Sequence, residues 1–182
     1  MEGNKMTDAT KESYIRVIDI VDDTTVDGPG FRISIYCAGC KNHCPGCHNP
    51  ETWDEQAGRD VLVSELFDHI ISDEFANVTF SGGDPFLHPD GFAALAKRIK
   101  KETKKTIWCY TGYLFENLTK RPEARELLEH LDVLVDGPFH EEEKDDDLLF
   151  RGSRNQRLID VQASLRAGSV VLFDYNPLKG LK

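Results

Sequence analysis

The sequence predicts an α/β protein: an open, partial barrel of about five or six mostly parallel strands covered by helices. Three observations carry this expectation. Strand-like and helix-like segments alternate along the chain, as in the βα units that build a parallel sheet. The 182 residues fall short of the roughly 250 that a closed eight-fold barrel takes. No linker or composition shift divides the chain, so residues 1–182 read as a single domain. An open doubly wound sheet is the second choice.

Tyr14 to Ile20 is β-rich, and Phe31 to Cys37 alternates with Phe31, Ile33, Ile35 and Cys37 on one face. Asp60 to Ser72 reads as a helix with Leu62, Leu66, Ile70 and Ile71 in a stripe. Asn77 to Phe80 is a short strand ending in Ser-Gly-Gly-Asp-Pro. A helix follows from Pro89-Asp90 toward Thr103, with Asp90 as N-cap and Phe92, Leu95 and Ile99 inward. Thr106 to Tyr110 is a strand. Pro122 suits the first turn of a helix carrying Leu127, Leu128 and Leu131. Val133 to Val135 is a strand broken by Asp136-Gly137-Pro138. Asn155 to Ala167 reads as a helix stopped by Gly168, and Ser169 to Phe173 as a last strand. In such sheets ligands gather beyond the carboxyl ends of the strands. The cysteine loop, Gly82-Gly83-Asp84, Thr111-Gly112 and Asp136-Gly137 all fall there.

The net charge of −10, with no dense basic stripe, argues against nucleic acid or an anionic membrane as partner. No apolar run approaches the roughly 18 residues of a membrane span. Met1 to Ser13 lacks the apolar core of a signal peptide. We expect residues 1–13 to be disordered and the protein to be cytoplasmic. Glu141 to Asp147 gathers six acids around Lys144 and reads as a solvated loop, with a docking patch for a basic partner as the alternative.

Four of the five cysteines (Cys37, Cys40, Cys44, Cys47, Cys109) fall within 11 residues. A disulfide framework would spread them to close long loops, so the cluster reads as metal ligands. Structural zinc is one reading, through the pairs Cys37-x2-Cys40 and Cys44-x2-Cys47. However, only three residues separate the pairs, whereas zinc pairs usually come from separate turns. Iron–sulfur is the better reading. Cys40-x3-Cys44-x2-Cys47 offers three thiolates to a [4Fe–4S] cube that normally takes four, leaving one iron open to a small molecule.

That order resembles the radical S-adenosylmethionine (SAM) enzymes. The resemblance implies a [4Fe–4S] cluster on Cys40, Cys44 and Cys47, with SAM on the open iron. Gly82-Gly83-Asp84, 35 residues after Cys47, is similar to that family's glycine–glycine–acid motif for the amino end of SAM. Asp27-Gly28-Pro29-Gly30-Phe31-Arg32 alone would be a tight loop; upstream of these cysteines it resembles the glycyl-radical activating enzymes. There the resemblance sets Asp27, Gly28, Gly30 and Arg32 at the mouth where a partner's glycine loop enters.

Five segments narrow the match: Cys44 to Trp53, Ser81 to Pro85, Trp108 to Tyr113, Val133 to Phe139 and Arg151 to Arg157. Together they resemble the activating proteins of the anaerobic (class III) ribonucleoside-triphosphate reductases over residues 14 to 165. This implies reductive cleavage of SAM and abstraction of hydrogen from a glycine near the C-terminus of the reductase large subunit, leaving a glycyl radical. It also implies a flavodoxin- or ferredoxin-type reductant. Thr111 and Asp136 are assigned to the ribose or carboxylate side of SAM, Asp136 serving equally as a turn residue with Gly137. Arg151, Asn155 and Arg157 are assigned to SAM's carboxylate or to the partner. Many family members carry an aromatic residue before the third cysteine, packing on adenine; here Gly46 stands there. Residues 169–182 lie beyond the matched segments. The alternatives are activation of another glycyl-radical enzyme such as a lyase, or a non-catalytic metal or electron-transfer module.

Overall fold

The computed structural model describes residues 12–176. The expected disorder of residues 1–13 and the end of the tail fall largely outside the described residues. The described residues form seven strands: β1 (Tyr14–Thr24), β2 (Arg32–Cys37), β3 (Arg59–Leu62), β4 (Asn77–Gly82), β5 (Ile107–Tyr110), β6 (Val133–Asp136) and β7 (Arg157–Asp160). The helices are α1 (Val63–Ser72), α2 (Pro89–Glu102), α3 (Phe115–Leu118), α4 (Pro122–Leu128) and α5 (Val161–Ala167). The strands form one open sheet in the order β3-β1-β2-β4-β5-β6-β7.

Parallel pairing is confined to the middle, β2-β4-β5-β6. The flanks, β3-β1-β2 and β6-β7, are antiparallel. Both flanking additions fall at the starts of segments that the sequence predicts as helix, Asp60–Ser72 and Asn155–Ala167. Arg59–Leu62 pairs with β1 from Tyr14↔Leu62 to Val17↔Arg59. Its burial follows a two-residue period, Val61 inward and its neighbours outward. Leu62, four residues before Leu66, only mimics a helical stripe. Arg157–Asp160 pairs with β6 from Asp136↔Arg157 to Val133↔Asp160. The helix then begins at an N-cap, Asp160, whose side chain accepts from the Ala163 amide at 2.8 Å. It ends where expected, at Gly168 with φ 66°.

Four smaller expectations change. Phe31 lies outside β2 and is exposed, so the inward face is Ile33, Ile35 and Cys37. Ile71 is also exposed. His88, not Asp90, is the N-cap residue of α2, with Pro89 opening the helix. The expected strand Ser169–Phe173 contracts to one bridge, Ile159↔Leu172, flanked by Phe173 N to Leu158 O at 2.8 Å and Asp160 N to Val171 O at 3.0 Å.

Alternation along the strands divides the sheet into two faces. Ile33, Ile35, Cys37, Val78, Phe80, Ile107, Cys109, Leu134 and Ile159 join one core with Leu66, Ile70, Leu95, Ile99, Leu127 and Leu128 of the helices. On the other face Trp108, Val133 and Val135 pack with Tyr110, Phe150, Leu158 and Phe173. Burying each large apolar side chain contributes about 1.5–3 kcal/mol, so the helical layer sets where the four parallel strands end. Those ends position the site. No helix among the described residues is long and apolar enough to cross a membrane.

Candidate iron–sulfur centre

The parallel strands β2, β4, β5 and β6 finish on the same side at Cys37, Gly82, Tyr110 and Asp136. The loop leaving β2 is held by its main chain. Gly39 N donates to Thr52 O at 2.7 Å and Cys40 N to Trp53 O at 3.2 Å. Across from it, Gly83 N donates to Cys37 O and Asp84 N to Gly39 O, each at 2.8 Å. Here lies the reason for the glycine pair. A Cβ on Gly82 would stand 2.5 Å from Cys37 N, and one on Gly83 would drive into Gly39 O. The two glycines let the end of β4 lie directly against the cysteine loop.

On that loop Cys40, Cys44 and Cys47 are partly exposed, while Cys37 and Cys109 are buried and all five are free thiols. Amides are aimed at the three outer sulfurs. Asn49 N donates to Cys47 Sγ at 3.4 Å. The main-chain amides of Asn42 and His43 serve Cys40, and that of Phe139 serves Cys44. Burial pushes the Cys40 and Cys44 thiols up, and these amides oppose it by favouring the thiolate. Cys37 is different in kind. It packs in the core, and burial, with Asp84 nearby, holds it firmly as a thiol. Cys37 thus stands apart from the other three thiols in environment. A cubane takes one thiolate on each iron, and Cys40, Cys44 and Cys47 offer three. The donor set fits such a cluster.

Asp84 is 2 % exposed, yet every side of its carboxylate is engaged. Thr111 Oγ1 donates at 2.9 Å, Gly112 N at 3.0 Å, Phe86 N at 3.0 Å and Asn42 Nδ2 at 3.4 Å. Burial still outweighs these donors and pushes the carboxyl up to about 6. Asp84 thus joins the ends of β4 and β5 to the cysteine loop, and Thr111 is its partner.

Asp136, at 0 % exposure, accepts from Arg157 Nε at 2.9 Å, Arg157 Nη2 at 2.5 Å and Phe115 N at 2.8 Å. It anchors β7 and α3 to the end of β6. Arg157 also grips Glu116 at 2.8 Å and holds that carboxyl down at about 2. Asn155 Nδ2 donates to Pro138 O at 2.7 Å, and Arg151 Nη1 to Gln156 O at 3.0 Å. Asn155 Oδ1 and Arg151 Nε are buried without a partner among the described residues, so this loop retains hydrogen-bonding capacity for a ligand.

The Asp27–Arg32 segment lies across β2 and β4. Asp27 Oδ2 accepts from Ser34 Oγ at 2.8 Å and Tyr36 OH at 2.7 Å. Arg32 is buried at the amino ends of the strands. It donates to Thr79 Oγ1 at 2.6 Å and Val78 O at 2.5 Å, with its guanidinium 5.5 Å from the Trp108 ring. A Cβ on Gly28 would meet Arg32 Cδ at 2.8 Å. Arg32 and Gly28 thus pack on the Trp108 face of the sheet, and Gly30 has open space around its Cα.

Two contributors went unassigned in the sequence. Phe139 lies against the loop, its ring 5.4 Å from that of His48 and its Cε1 3.2 Å from where a Gly46 Cβ would sit. Asn42 reaches both Cys40 and Asp84. Neither belongs to a periodic pattern; only their nearness to cysteines or strand ends hinted at a role.

The fold and this thiol loop define an iron–sulfur protein. Residues 26–159 match the family described as a 4Fe-4S single cluster domain. The chain is 40% identical over 141 residues to the anaerobic ribonucleoside-triphosphate reductase-activating protein of Vibrio cholerae, covering 72% of this chain and 88% of that one. It is 37% identical over 142 residues to the Escherichia coli K12 protein of the same name, covering 72% and 89%. With that of Enterobacteria phage T4 the identity is 34% over 140 residues, covering 73% and 86%. The chain belongs to the family of anaerobic ribonucleoside-triphosphate reductase-activating proteins.

Proposed function

We propose that this protein is a radical SAM enzyme that activates an anaerobic ribonucleotide reductase, with its cluster on Cys40, Cys44 and Cys47. The observation that supports this most is the meeting of three partly exposed thiols with the Gly82–Asp84 loop at the ends of parallel strands. On this reading the described sheet is part of one radical SAM domain, a partial barrel left open at its edges. Held by Cys40, Cys44 and Cys47, the cluster would pass one electron from its donor to SAM, whose reductive cleavage would release methionine and supply a 5′-deoxyadenosyl radical for hydrogen abstraction from a glycine near the reductase's C-terminus. A low-potential flavodoxin- or ferredoxin-type donor provides the electron, and the cytoplasm is the compartment that keeps such thiols free.

The chain's own residues position and shield. The amides of Asn42, His43 and Phe139 favour the Cys40 and Cys44 thiolates, and that of Asn49 donates to Cys47 Sγ. Gly82 and Gly83 bring main-chain groups to the site's edge. Asp84 and Thr111 set the shape of the SAM pocket by fixing the loops around it, and Asp136 does the same for β7. Arg151 and Asn155, each with a buried unpartnered atom, are placed to receive SAM's polar groups or the partner. Asp27, Gly28 and Arg32 brace the sheet face beneath.

The test is 5′-deoxyadenosine release, read by mass spectrometry, from anaerobically reconstituted protein given SAM and a strong reductant. Added reductase should then gain a glycyl EPR doublet. Product without a doublet on the reductase, but with one on a lyase, would redirect the proposal. A reduced cluster that yields no product even with the reductase present would reject it.

A further inference from the structure

Asn42 stands on the exposed rim of the cysteine loop, two residues past Cys40. Its side-chain nitrogen Nδ2 carries two hydrogens and has two acceptors: Cys40 Sγ at 3.8 Å and Asp84 Oδ2 at 3.4 Å. Asp84 is a fixed post, buried and held by Thr111, Gly112 and Phe86. Gly112 completes the seat, because a Cβ there would collide with Asn42 Nδ2. The amide thus lies in a slot that a missing side chain leaves open, with one hydrogen anchored on the acid and the other turned to the sulfur.

We propose that Asn42 is a positioning residue that aims a hydrogen-bond donor at the Cys40 sulfur and so raises the reduction potential of the cluster. This rests on the reading of Cys40 as a cluster ligand. Reduction adds negative charge that spreads onto the cysteine sulfurs. A donor held against one of them stabilises the reduced state more than the oxidised one, and hydrogen bonds to sulfur are a principal control on cluster potential. Asp84 on its own would work the other way when ionised, since a nearby anion disfavours added negative charge. The Asn42 amide stands between that carboxylate and the sulfur and presents its positive end to the cluster side.

Two variants reach this amide independently. Asn42→Leu keeps its approximate size and removes both donors. Gly112→Ala leaves Asn42 in place and pushes its amide out of the slot. Both would be reconstituted anaerobically beside the wild type, with iron and sulfide per chain measured first. A redox titration follows, read by the EPR signal of the reduced cluster. The expected result is unchanged iron content and a midpoint potential shifted negative in both variants. If one variant fails to fold, the other decides. Unmoved midpoints at full iron content would overturn the proposal. So would loss of the cluster from both variants, because Asn42 would then be holding the loop together and not tuning it. Wild-type protein that takes up no iron would remove the ligand assignment itself, and this inference with it.

Discussion

At the scale of single residues, the five cysteines separate by environment. Cys40, Cys44 and Cys47 stand in a loop with amides aimed at their sulfurs, and Cys37 and Cys109 are packed in apolar surroundings. Replacing any one of the first three by Ala should remove the cluster's visible absorbance and abolish 5′-deoxyadenosine release. Cys37→Ala should retain full iron content and cost about 1 kcal/mol of stability, since it deletes one buried atom of hydrophobic character. Iron loss from Cys37→Ala would contradict the three-ligand assignment. Asp136 is the second decisive residue. Asp136→Ala leaves the Phe115 amide without its acceptor and Arg157 with Glu116 alone. Losing charge-assisted bonds of this kind costs about 1.5–3 kcal/mol, which urea unfolding would read as a lower midpoint.

At the scale of elements, the close approach between β4 and the cysteine loop decides whether the site forms. Gly83→Ala should force the two main chains apart and lower the iron taken up on reconstitution. Gly30→Ala is the contrasting variant, because its Cβ would meet nothing within 4 Å. It carries only the strain of φ +73°, about 1–2 kcal/mol, and should keep the full complement of iron. Iron content unchanged in Gly83→Ala would show that the contact is dispensable. The β7 flank responds to pH through Glu116. Arg157 holds its folded carboxyl at about 2, below the value of about 4.3 in an unfolded chain. A depressed folded value means stability that is present above about pH 4.3 and is lost as pH falls toward 2. Glu116→Gln should therefore flatten stability against pH across that interval. The change is modest, because the side chain is half exposed. Parallel curves for the two proteins would remove Glu116 from the acid response.

At the scale of the whole molecule, the helical layer and the site lie on different sides of one sheet's logic. Leu95 on α2 is wholly buried in the principal core, far in function from the strand ends. Leu95→Ala should cost about 2–5 kcal/mol while folded protein at low temperature still takes up iron. Iron loss in proportion to stability loss would mean the loop and core are one cooperative unit.

The outline of both fold and site was legible because it rests on local signals. Apolar alternation in Ile33, Ile35 and Cys37, the punctuation at Gly168 and Pro122, and the spacing of Cys40, Cys44 and Cys47 are all written in neighbouring residues. Even the approach of Gly82, Gly83 and Asp84 to the cysteine loop could be read from their place after a strand. The two departures at the flanks of the sheet share one physical origin. Arg59–Leu62 and Arg157–Asp160 are short edge strands whose hydrogen bonds go to residues far along the chain. Their local patterns suited a helix equally well, and only pairing with β1 and β6 decided otherwise.

The same division holds for the chemistry. The sequence by itself determined which side chains could carry a cluster, since thiolate count and spacing are properties of one loop. Tertiary structure alone decided which partners the polar residues face. Asp84 faces Thr111, Gly112 and Asn42, Asp136 faces Arg157, and Arg32 turns inward onto Thr79 and Trp108. A buried charge must find its partners wherever the folded chain brings them, and those partners lie about 20 to 80 residues away.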